Sequence, residues 1–291
     1  MLKQRLIVSL VGELIVYLIG FVSLVFIVRL MGPKPLGILT SALAIANIFS
    51  IIGNLGFGVI HVKLVSQGED LNQCISSFFF IKLFTISLMV LSFILFSYTF
   101  PNSELSYFNF EDKYVLLIIF LSMVISSFSD IGNFTLSAQL RMAIGKTILI
   151  VQKFISSSGK IIVALMGLSA VYLASAELFA TVTTLLAYIY VFRNIKISVP
   201  EKDIFKKYFK LSFPSLVITL TSVLMSNTLD RVILVKNAGV TEVGIYSVSL
   251  SMMIVFTMVA NNVNNLLYPY FSKLFTKNEI NKVCKKNKKI S

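Results

Sequence analysis

Apolar residues along the chain fall into long runs separated by short polar segments. About 20 consecutive apolar residues are needed to cross the hydrocarbon core of a bilayer. Runs of this length predict eight membrane helices, near residues 6–28, 36–60, 74–99, 114–138, 147–167, 169–192, 212–235 and 242–271. The boundary between the fifth and sixth helices rests only on the short break at 167–169. The pattern therefore predicts an all-α, polytopic helical membrane protein.

One polar segment between two apolar runs occurs twice. Residues 28–38 and 235–245 both read Val, a cation, two residues, Gly, four residues, Gly, Ile. The offset is 207 residues for both glycines (239 − 32 and 244 − 37). A loop between membrane helices also tends to collect glycine and a cation by chance, but a constant offset favours duplication. Each copy is predicted to be a tight turn that ends one helix and begins the next.

The duplication predicts the domain organisation. Six helices separate the two copies, and an even number returns the chain to the same side of the membrane, so the repeats should be parallel. The predicted units are a six-helix transmembrane lobe over 1–192, a basic cytoplasmic linker over 193–211, the first two helices of a second lobe over 212–271 and a basic cytoplasmic tail over 272–291. Only 84 residues (291 − 207) belong to the second copy. The chain is therefore expected to be truncated.

Composition supports the membrane assignment and excludes several functions. Hydrophobic residues make up 56% of the chain and charged residues 13%, against about a quarter charged in soluble domains. The net charge of +13 does not indicate nucleic-acid binding, because the cations lie in loops and a tail rather than in a basic domain. His61 is the only histidine, and Cys74 and Cys284 are the only cysteines. This excludes histidine triads and argues against a metal cluster or a disulfide framework.

The loop cations predict the orientation of the helices. Inside segments would hold Lys3, Arg5, Lys63, Arg141, Lys146, Arg193, Lys196, Lys202, Lys206, Lys207, Lys210 and the tail lysines from Lys273 to Lys289. Outside segments would hold only Arg29, Lys34, Lys113 and Lys236. Because positive charge concentrates on the cytoplasmic side, both termini are predicted to be cytoplasmic.

Charged residues interrupt the apolar runs, and seven of them are candidates for function. They are Glu13, Lys82, Asp130, Lys160, Glu177, Asp230 and Arg231. A charge at the bilayer centre costs roughly 2.5–3.5 kcal/mol, so these side chains are expected to face the bundle interior or a water-filled cavity. For two of them, contact with a membrane surface is an alternative. Lys82 is close enough for its ammonium group to extend to the inner surface, and Glu177 lies about two turns from the outer surface.

These residues suggest how an anionic ligand would be held. A guanidinium at membrane depth suits phosphate, so Arg231 is the main candidate and Lys160 would add a point charge. Asp230 is adjacent to Arg231 and points elsewhere on a helix. We expect Arg231 to have an anionic partner and to line a groove against the first helix.

Other polar residues suggest further contacts. Glu13, Asp130 and Asp230 are candidates for counter-ions or for coupling to a proton or sodium ion, with a structural ion pair as the alternative. Asn261 and Asn265 lie in a run of four amides that suits a hydroxyl-rich ligand, or the inner membrane surface. The segment 156–160 mimics the end of a phosphate-binding loop but lacks its first glycine and its final Ser or Thr. We predict no catalytic residue, metal or cofactor.

Three segments together resemble a known family. They are residues 29–37 after the first helix, Gly56-Phe57-Gly58 with Lys63 after the second, and Asp230-Arg231 followed by Gly239 and 244–246. The chain resembles polysaccharide or O-antigen flippases of the multidrug/oligosaccharidyl-lipid/polysaccharide exporter superfamily. The resemblance implies two six-helix lobes around a cationic cavity, and a transporter rather than an enzyme.

The implied activity is transfer of a lipid-linked oligosaccharide on a polyprenyl pyrophosphate across the cytoplasmic (inner) membrane by alternating access, in lipopolysaccharide or other surface-polysaccharide synthesis. Arg231 would contact the pyrophosphate with help from Lys160. Expected partners are membrane lipids and polysaccharide assembly proteins, and no nucleic acid. A drug or cation antiporter of the same fold is one alternative. A membrane glycosyltransferase or polymerase, or a non-functional fragment, is the other.

Overall fold

A computed structural model describes residues 2–99, 110–195, 197–224 and 227–253, and this part of the chain is helical with no strand. The helices are α1 (Leu2–Met31), α2 (Pro33–Asn54), α3 (Phe57–Ser66), α4 (Leu71–Thr99), α5 (Phe110–Ala138), α6 (Met142–Leu165), α7 (Ala170–Val191), α8 (Lys202–Leu224), α9 (Thr228–Ala238) and α10 (residues 240–253). The predicted all-α class is confirmed. Six of these helices are long and apolar enough to cross a membrane: α1, α2 and α4 to α7.

Two of the eight predicted membrane helices are interrupted. The second is divided into α2 and α3 because Leu55 and Gly56 adopt positive φ angles of 39° and 76°. Gly56 also lies against α8, where an added Cβ would be 2.6 Å from the carbonyl carbon of Ser215. The seventh is divided into α8 and α9, and α8 begins at Lys202 rather than near residue 212.

Helix α8 begins early because its first turns pack onto the bundle. Tyr208 is fully buried, and its hydroxyl lies 2.7 Å from Nδ1 of His61 on α3 and 3.2 Å from the carbonyl oxygen of Cys74 on α4. Nε2 of His61 lies 2.8 Å from Oγ1 of Thr135 on α5. The only histidine of the chain is therefore a buried structural residue that ties four helices together.

At the surface beside this contact, the Lys207 ammonium donates to the carboxylate of Glu69. The hydrogen bond to Glu69 raises the pKa of Lys207 above its ordinary value. This pair is exposed, and exposed ion pairs contribute little to stability. The buried contacts of Tyr208 therefore hold α8 in place.

Helix α5 lies at the centre of the bundle and packs against α2, α3, α4, α6 and α7. Phe93 of α4 stacks on Phe120 of α5 with ring centroids 3.8 Å apart, and Phe49 of α2 meets both rings edge-on. Between helices in a bilayer, close packing rather than the hydrophobic effect provides the attraction. This aromatic cluster therefore stabilises the bundle through shape complementarity.

The two copies of the repeated segment contact each other. A Cβ on Gly37 would lie 1.7 Å from the carbonyl oxygen of Val240, and a Cβ on Gly244 would lie 2.1 Å from that of Pro33. Three residues further along, Oγ of Ser247 donates to Oγ1 of Thr40 over 3.1 Å. The pairs 37/244 and 40/247 share the separation of 207. A constant separation means that α2 and α10 run in the same direction, so the parallel sense predicted for the two copies is confirmed for these helices.

Candidate functional site

Among the described side chains, the charged residues that interrupt the apolar runs form three separate clusters. The first lies between α2, α4 and α5. The Lys82 ammonium donates to Oδ1 of Asn54 (2.6 Å), Oδ2 of Asp130 (3.0 Å) and the carbonyl oxygen of Gly53 (3.3 Å). These three acceptors match the three hydrogens of the ammonium group. Lys82 is 1% exposed, so the snorkelling alternative is wrong, and Asp130 serves as its counter-ion.

The second cluster lies between α6 and α7. The Lys160 ammonium forms an ion pair with Oε2 of Glu177, which also accepts a 2.6 Å hydrogen bond from Oγ of Ser156. The close approach of the helices is possible because position 159 is glycine, where an added Cβ would be 2.9 Å from Cβ of Ala176. The charge of Lys160 is thus compensated by Glu177 on the neighbouring helix. Glu177 bonds to residues of α6 rather than extending to the outer membrane surface.

Lys153 belongs to the same cluster and was missed by the sequence analysis. It precedes Lys160 by seven residues, which places both on one face of α6 because seven residues make about two helical turns. Its side chain crosses α1 at Gly20, where an added Cβ would lie 2.7 Å from Cε of Lys153. Among the described residues no carboxylate lies within 4.0 Å of its ammonium group. The signal available in the sequence was the seven-residue spacing of two lysines inside one apolar helix.

The charges in this second cluster do not cancel. Lys153 interacts electrostatically with both Lys160 and Glu177. Among the described side chains the cluster thus holds two lysines and one carboxylate, an excess of one positive charge at membrane depth. Lys153 is ten residues beyond the start of its span at Ala143, or about 15 Å at 1.5 Å per residue, which is close to the middle of a bilayer core.

The third cluster lies on α9 and α10. The Tyr246 hydroxyl donates to Oδ2 of Asp230 over 2.8 Å. The Nε atom of Arg231 is buried and has no hydrogen-bond partner among the described residues. As predicted from their adjacent positions, Asp230 bonds to a neighbouring helix while Arg231 is not paired with it. Helix α9 packs mainly against α2, rather than against the first helix as expected.

The structure does not bring all predicted site residues together. Asp130, Lys160 and Arg231 belong to the three different clusters described above. Asn261 and Asn265 lie outside the described residues, and of Glu13 the structure describes the helix position but not the side chain. The roles of these residues therefore stay predictions. The part of the chain that the structure describes holds no group of three potential metal ligands.

The fold and the site define the class of the protein: a polytopic membrane protein with six candidate spans and a parallel second copy of its first turn. Within the part of the chain that the structure describes, Lys153 and Arg231 have no carboxylate within 4.0 Å. The chain belongs to the polysaccharide biosynthesis protein family, whose model matches residues 2–275. The family resemblance predicted from the sequence is thereby confirmed.

Solved structures share the fold. An inward-facing multidrug resistance MATE family transporter of the MOP superfamily superimposes with a TM-score of 0.61 and 15% identity over 82% of this chain and 58% of the other. A MOP superfamily transporter from Pyrococcus furiosus, described as having a binding pocket of reverse polarity, gives a TM-score of 0.52 and 16% identity over 89% and 62% of the two chains. A chain described as protein A superimposes with a TM-score of 0.64 and 18% identity over 88% of this chain and 61% of the other.

These identities are low, so the similarity shows the fold alone. The chain spans about three fifths of the length of each of these structures. No curated protein sequence matches the chain significantly.

Proposed function

We propose that this protein belongs to the machinery that moves a lipid-pyrophosphate-linked oligosaccharide across the cytoplasmic membrane for surface-polysaccharide synthesis. The activity would be that of a flippase working by alternating access. The family is described by polysaccharide biosynthesis, and two of the proteins that share the fold are described as transporters. Both statements support transport of a polysaccharide precursor.

The observation that carries the proposal is the uncompensated positive charge within the membrane helices. Asp130 pairs with Lys82 and Glu177 pairs with Lys160. Lys153 and Arg231 remain without a carboxylate partner within 4.0 Å among the described residues. Each uncompensated cation costs roughly 2.5–3.5 kcal/mol at the bilayer centre. An anionic ligand would offset that cost, and pyrophosphate accepts hydrogen bonds from both lysine and arginine.

This assignment changes the roles that the sequence suggested. Lys160 would hold Glu177 and raise the local positive potential, while Lys153 would contact the phosphate. Arg231 keeps its proposed role, because no described carboxylate lies within 4.0 Å of it and a guanidinium can grip phosphate through two parallel hydrogen bonds. Asn261 and Asn265 remain proposed contacts to the sugar hydroxyls.

A drug or cation antiporter of the same fold is supported less well. Such a protein would offer free carboxylates to a cationic substrate. Among the described membrane residues, Asp130 and Glu177 both bond to lysines, and Asp230 accepts a hydrogen bond from Tyr246. The charge balance favours an anionic substrate.

The contact between the repeat copies supports alternating access. Gly37 and Gly244 bring α2 and α10 together at the predicted outer ends of these helices. In an alternating-access cycle this contact would close the outer side and would separate when the site opens outward.

Binding to the purified chain in nanodiscs tests the proposal without requiring a full transport cycle. A fluorescent polyprenyl-pyrophosphate oligosaccharide should bind saturably, and the same lipid with an uncharged head should not compete. Lys153→Met should weaken binding about tenfold, because it removes one charge-assisted hydrogen bond. Lys63→Met, at an exposed position on α3, is the matched control and should bind like the wild type. Equal affinity of Lys153→Met and the wild type would refute the phosphate assignment.

A further inference from the structure

A cavity lies between α4, α5 and α7. Its volume is about 420 Å³, within the range of small-ligand sites. Phe79 of α4, Phe128 of α5 and Leu185 of α7 line its walls, and apolar residues make up most of the remaining lining. A largely apolar cavity of this size loses packing contacts if it stays empty.

The cavity opens to the outside of the bundle at the predicted cytoplasmic end of α7. Two of its lining residues, Ile189 and Ile197, are each 56% exposed. Along α5 the lining runs from Phe128 to Thr135, a distance of about 10 Å at 1.5 Å per residue. One leaflet of a bilayer core is about 15 Å thick. The cavity therefore extends through about two thirds of one leaflet, which is deep enough for much of an acyl chain that enters at this end.

A cation lies at the mouth of the cavity. Arg193 is the only charged residue of the lining within the part of the chain that the structure describes. Its guanidinium lies over the Tyr190 ring, 4.8 Å from the centroid. No carboxylate lies within 4.0 Å of it among the described residues. Arginine and tyrosine at the end of a membrane helix sit at the level of the lipid headgroups. Arg193 is thus placed to meet a phosphate above an apolar cavity.

We infer that this cavity is a binding site for an anionic phospholipid of the adjacent leaflet, with an acyl chain between α4, α5 and α7 and the phosphate at Arg193. The site is distinct from the proposed substrate site. Lys153 and Lys160 lie between α6, α7 and α1, whereas this cavity lies on the side of α7 that faces α4 and α5.

The bound lipid would also stabilise the connection between α7 and α8. The lining includes Ile195 and Ile197 from this connection. The same segment is tied to the start of α4, where the backbone N–H of Ser198 donates to Oγ of Ser76 (3.0 Å) and that of Glu201 donates to Oε1 of Gln73 (3.1 Å). An acyl chain in the cavity would pack beneath this segment and support its position.

The test measures the lipids that the intact chain retains. Protein extracted from membranes of phosphatidylcholine with phosphatidylglycerol is washed in mild detergent, and the retained phospholipids are quantified by mass spectrometry. We expect enrichment of phosphatidylglycerol. Arg193→Gln should lower its retention about tenfold, as expected for loss of a charge-assisted bond to phosphate, without changing phosphatidylcholine retention. Lys206→Gln, an exposed cation that does not line the cavity, is the matched control and should retain the wild-type amount.

A second variant tests the cavity itself. Leu185→Trp should fill part of the cavity and displace the lipid. The melting temperature of this variant should therefore no longer rise when phosphatidylglycerol is added to the nanodiscs. Unchanged phosphatidylglycerol retention in Arg193→Gln would overturn the inference. So would lipid-dependent melting that persists in Leu185→Trp. Displacement of the phospholipid by polyprenyl phosphate at an equal concentration would instead assign the cavity to the tail of the substrate, and would also overturn it.

Discussion

Replacing Gly37 with alanine should separate the two copies of the repeated segment. The added Cβ would lie 1.7 Å from the carbonyl oxygen of Val240, whereas ordinary van der Waals contact begins near 3.4 Å. Helices α2 and α10 must therefore move apart by about 1.7 Å (3.4 − 1.7). Overpacking of this kind costs roughly 1–3 kcal/mol. Alanine is intrinsically favoured over glycine in a helix by about 1 kcal/mol, so any loss of contact comes from the clash.

Disulfide formation across the contact measures this separation. Thr40 and Ser247 have their side-chain oxygens 3.1 Å apart, so cysteines at both positions would place their sulfurs close enough to react after a small adjustment. The background would carry alanine in place of Cys74 and Cys284. The double-cysteine protein should cross-link rapidly on mild oxidation. Adding Gly37→Ala should slow the reaction about tenfold, because the equilibrium is biased by roughly 1.4 kcal/mol or more toward separation.

Gly145→Ala is the matched control, because its nearest neighbours would lie 3.5 and 3.9 Å from the new Cβ and need not move. The cross-linking rate should then equal that of the parent. If Gly37→Ala cross-links as fast as Gly145→Ala, the two helices are not held together by the glycine contact and the reasoning fails.

Four further outcomes are expected. Lys82→Met should destabilise the protein by roughly 3–5 kcal/mol in thermal unfolding followed by circular dichroism, because it leaves the Asp130 carboxylate unpaired. Adding Asp130→Asn to the same chain should recover part of this loss. No recovery would argue against the ion pair. Tyr208→Phe should cost roughly 1–3 kcal/mol by the same measurement, since buried partners lose their hydrogen bonds, and an unchanged melting temperature would contradict the buried network. Arg231→Lys should weaken binding of the pyrophosphate lipid, because a point charge replaces a guanidinium that forms two parallel hydrogen bonds. Arg231→Ala should weaken binding further. Wild-type affinity in the alanine variant would leave Arg231 with a structural role only. A cysteine in place of Lys207 should resist an impermeant reagent in intact cells, and labelling from outside would overturn the predicted orientation.

Much of the architecture follows from the sequence alone. Apolar runs of bilayer length predict membrane helices because an unsatisfied backbone group inside lipid is costly, which leaves the helix as the local solution. The repeat offset of 207 residues predicted that the two copies are parallel, and the pairs Gly37/Gly244 and Thr40/Ser247 agree with it. Both predictions depend on the local hydrophobic pattern or on the separation of two segments along the chain. A linear sequence contains both properties.

The helix breaks and the charge partners were decided by the tertiary structure. At the interruption between α2 and α3, the carbonyl oxygen of Gly56 accepts a hydrogen bond from Oγ of Ser215, which lies 159 residues away, and no local pattern shows such a contact. Likewise, the sequence shows Lys82, Asp130, Lys160 and Glu177 as isolated charges in apolar runs. Only the packing of α4 on α5 and of α6 on α7 joins them in pairs.

The same distinction explains the candidate site. The sequence predicted Lys160 as a ligand contact because a lysine at membrane depth is costly, but it could not show that Glu177 compensates this charge. Lys153 was overlooked although its seven-residue spacing from Lys160 is visible in the sequence, whereas the passage of its side chain over Gly20 of α1 is a property of the folded chain. A cost of burial can be read from one residue and its position. Whether that cost is already offset depends on which atoms other helices place within a few ångströms, and only the folded chain determines this.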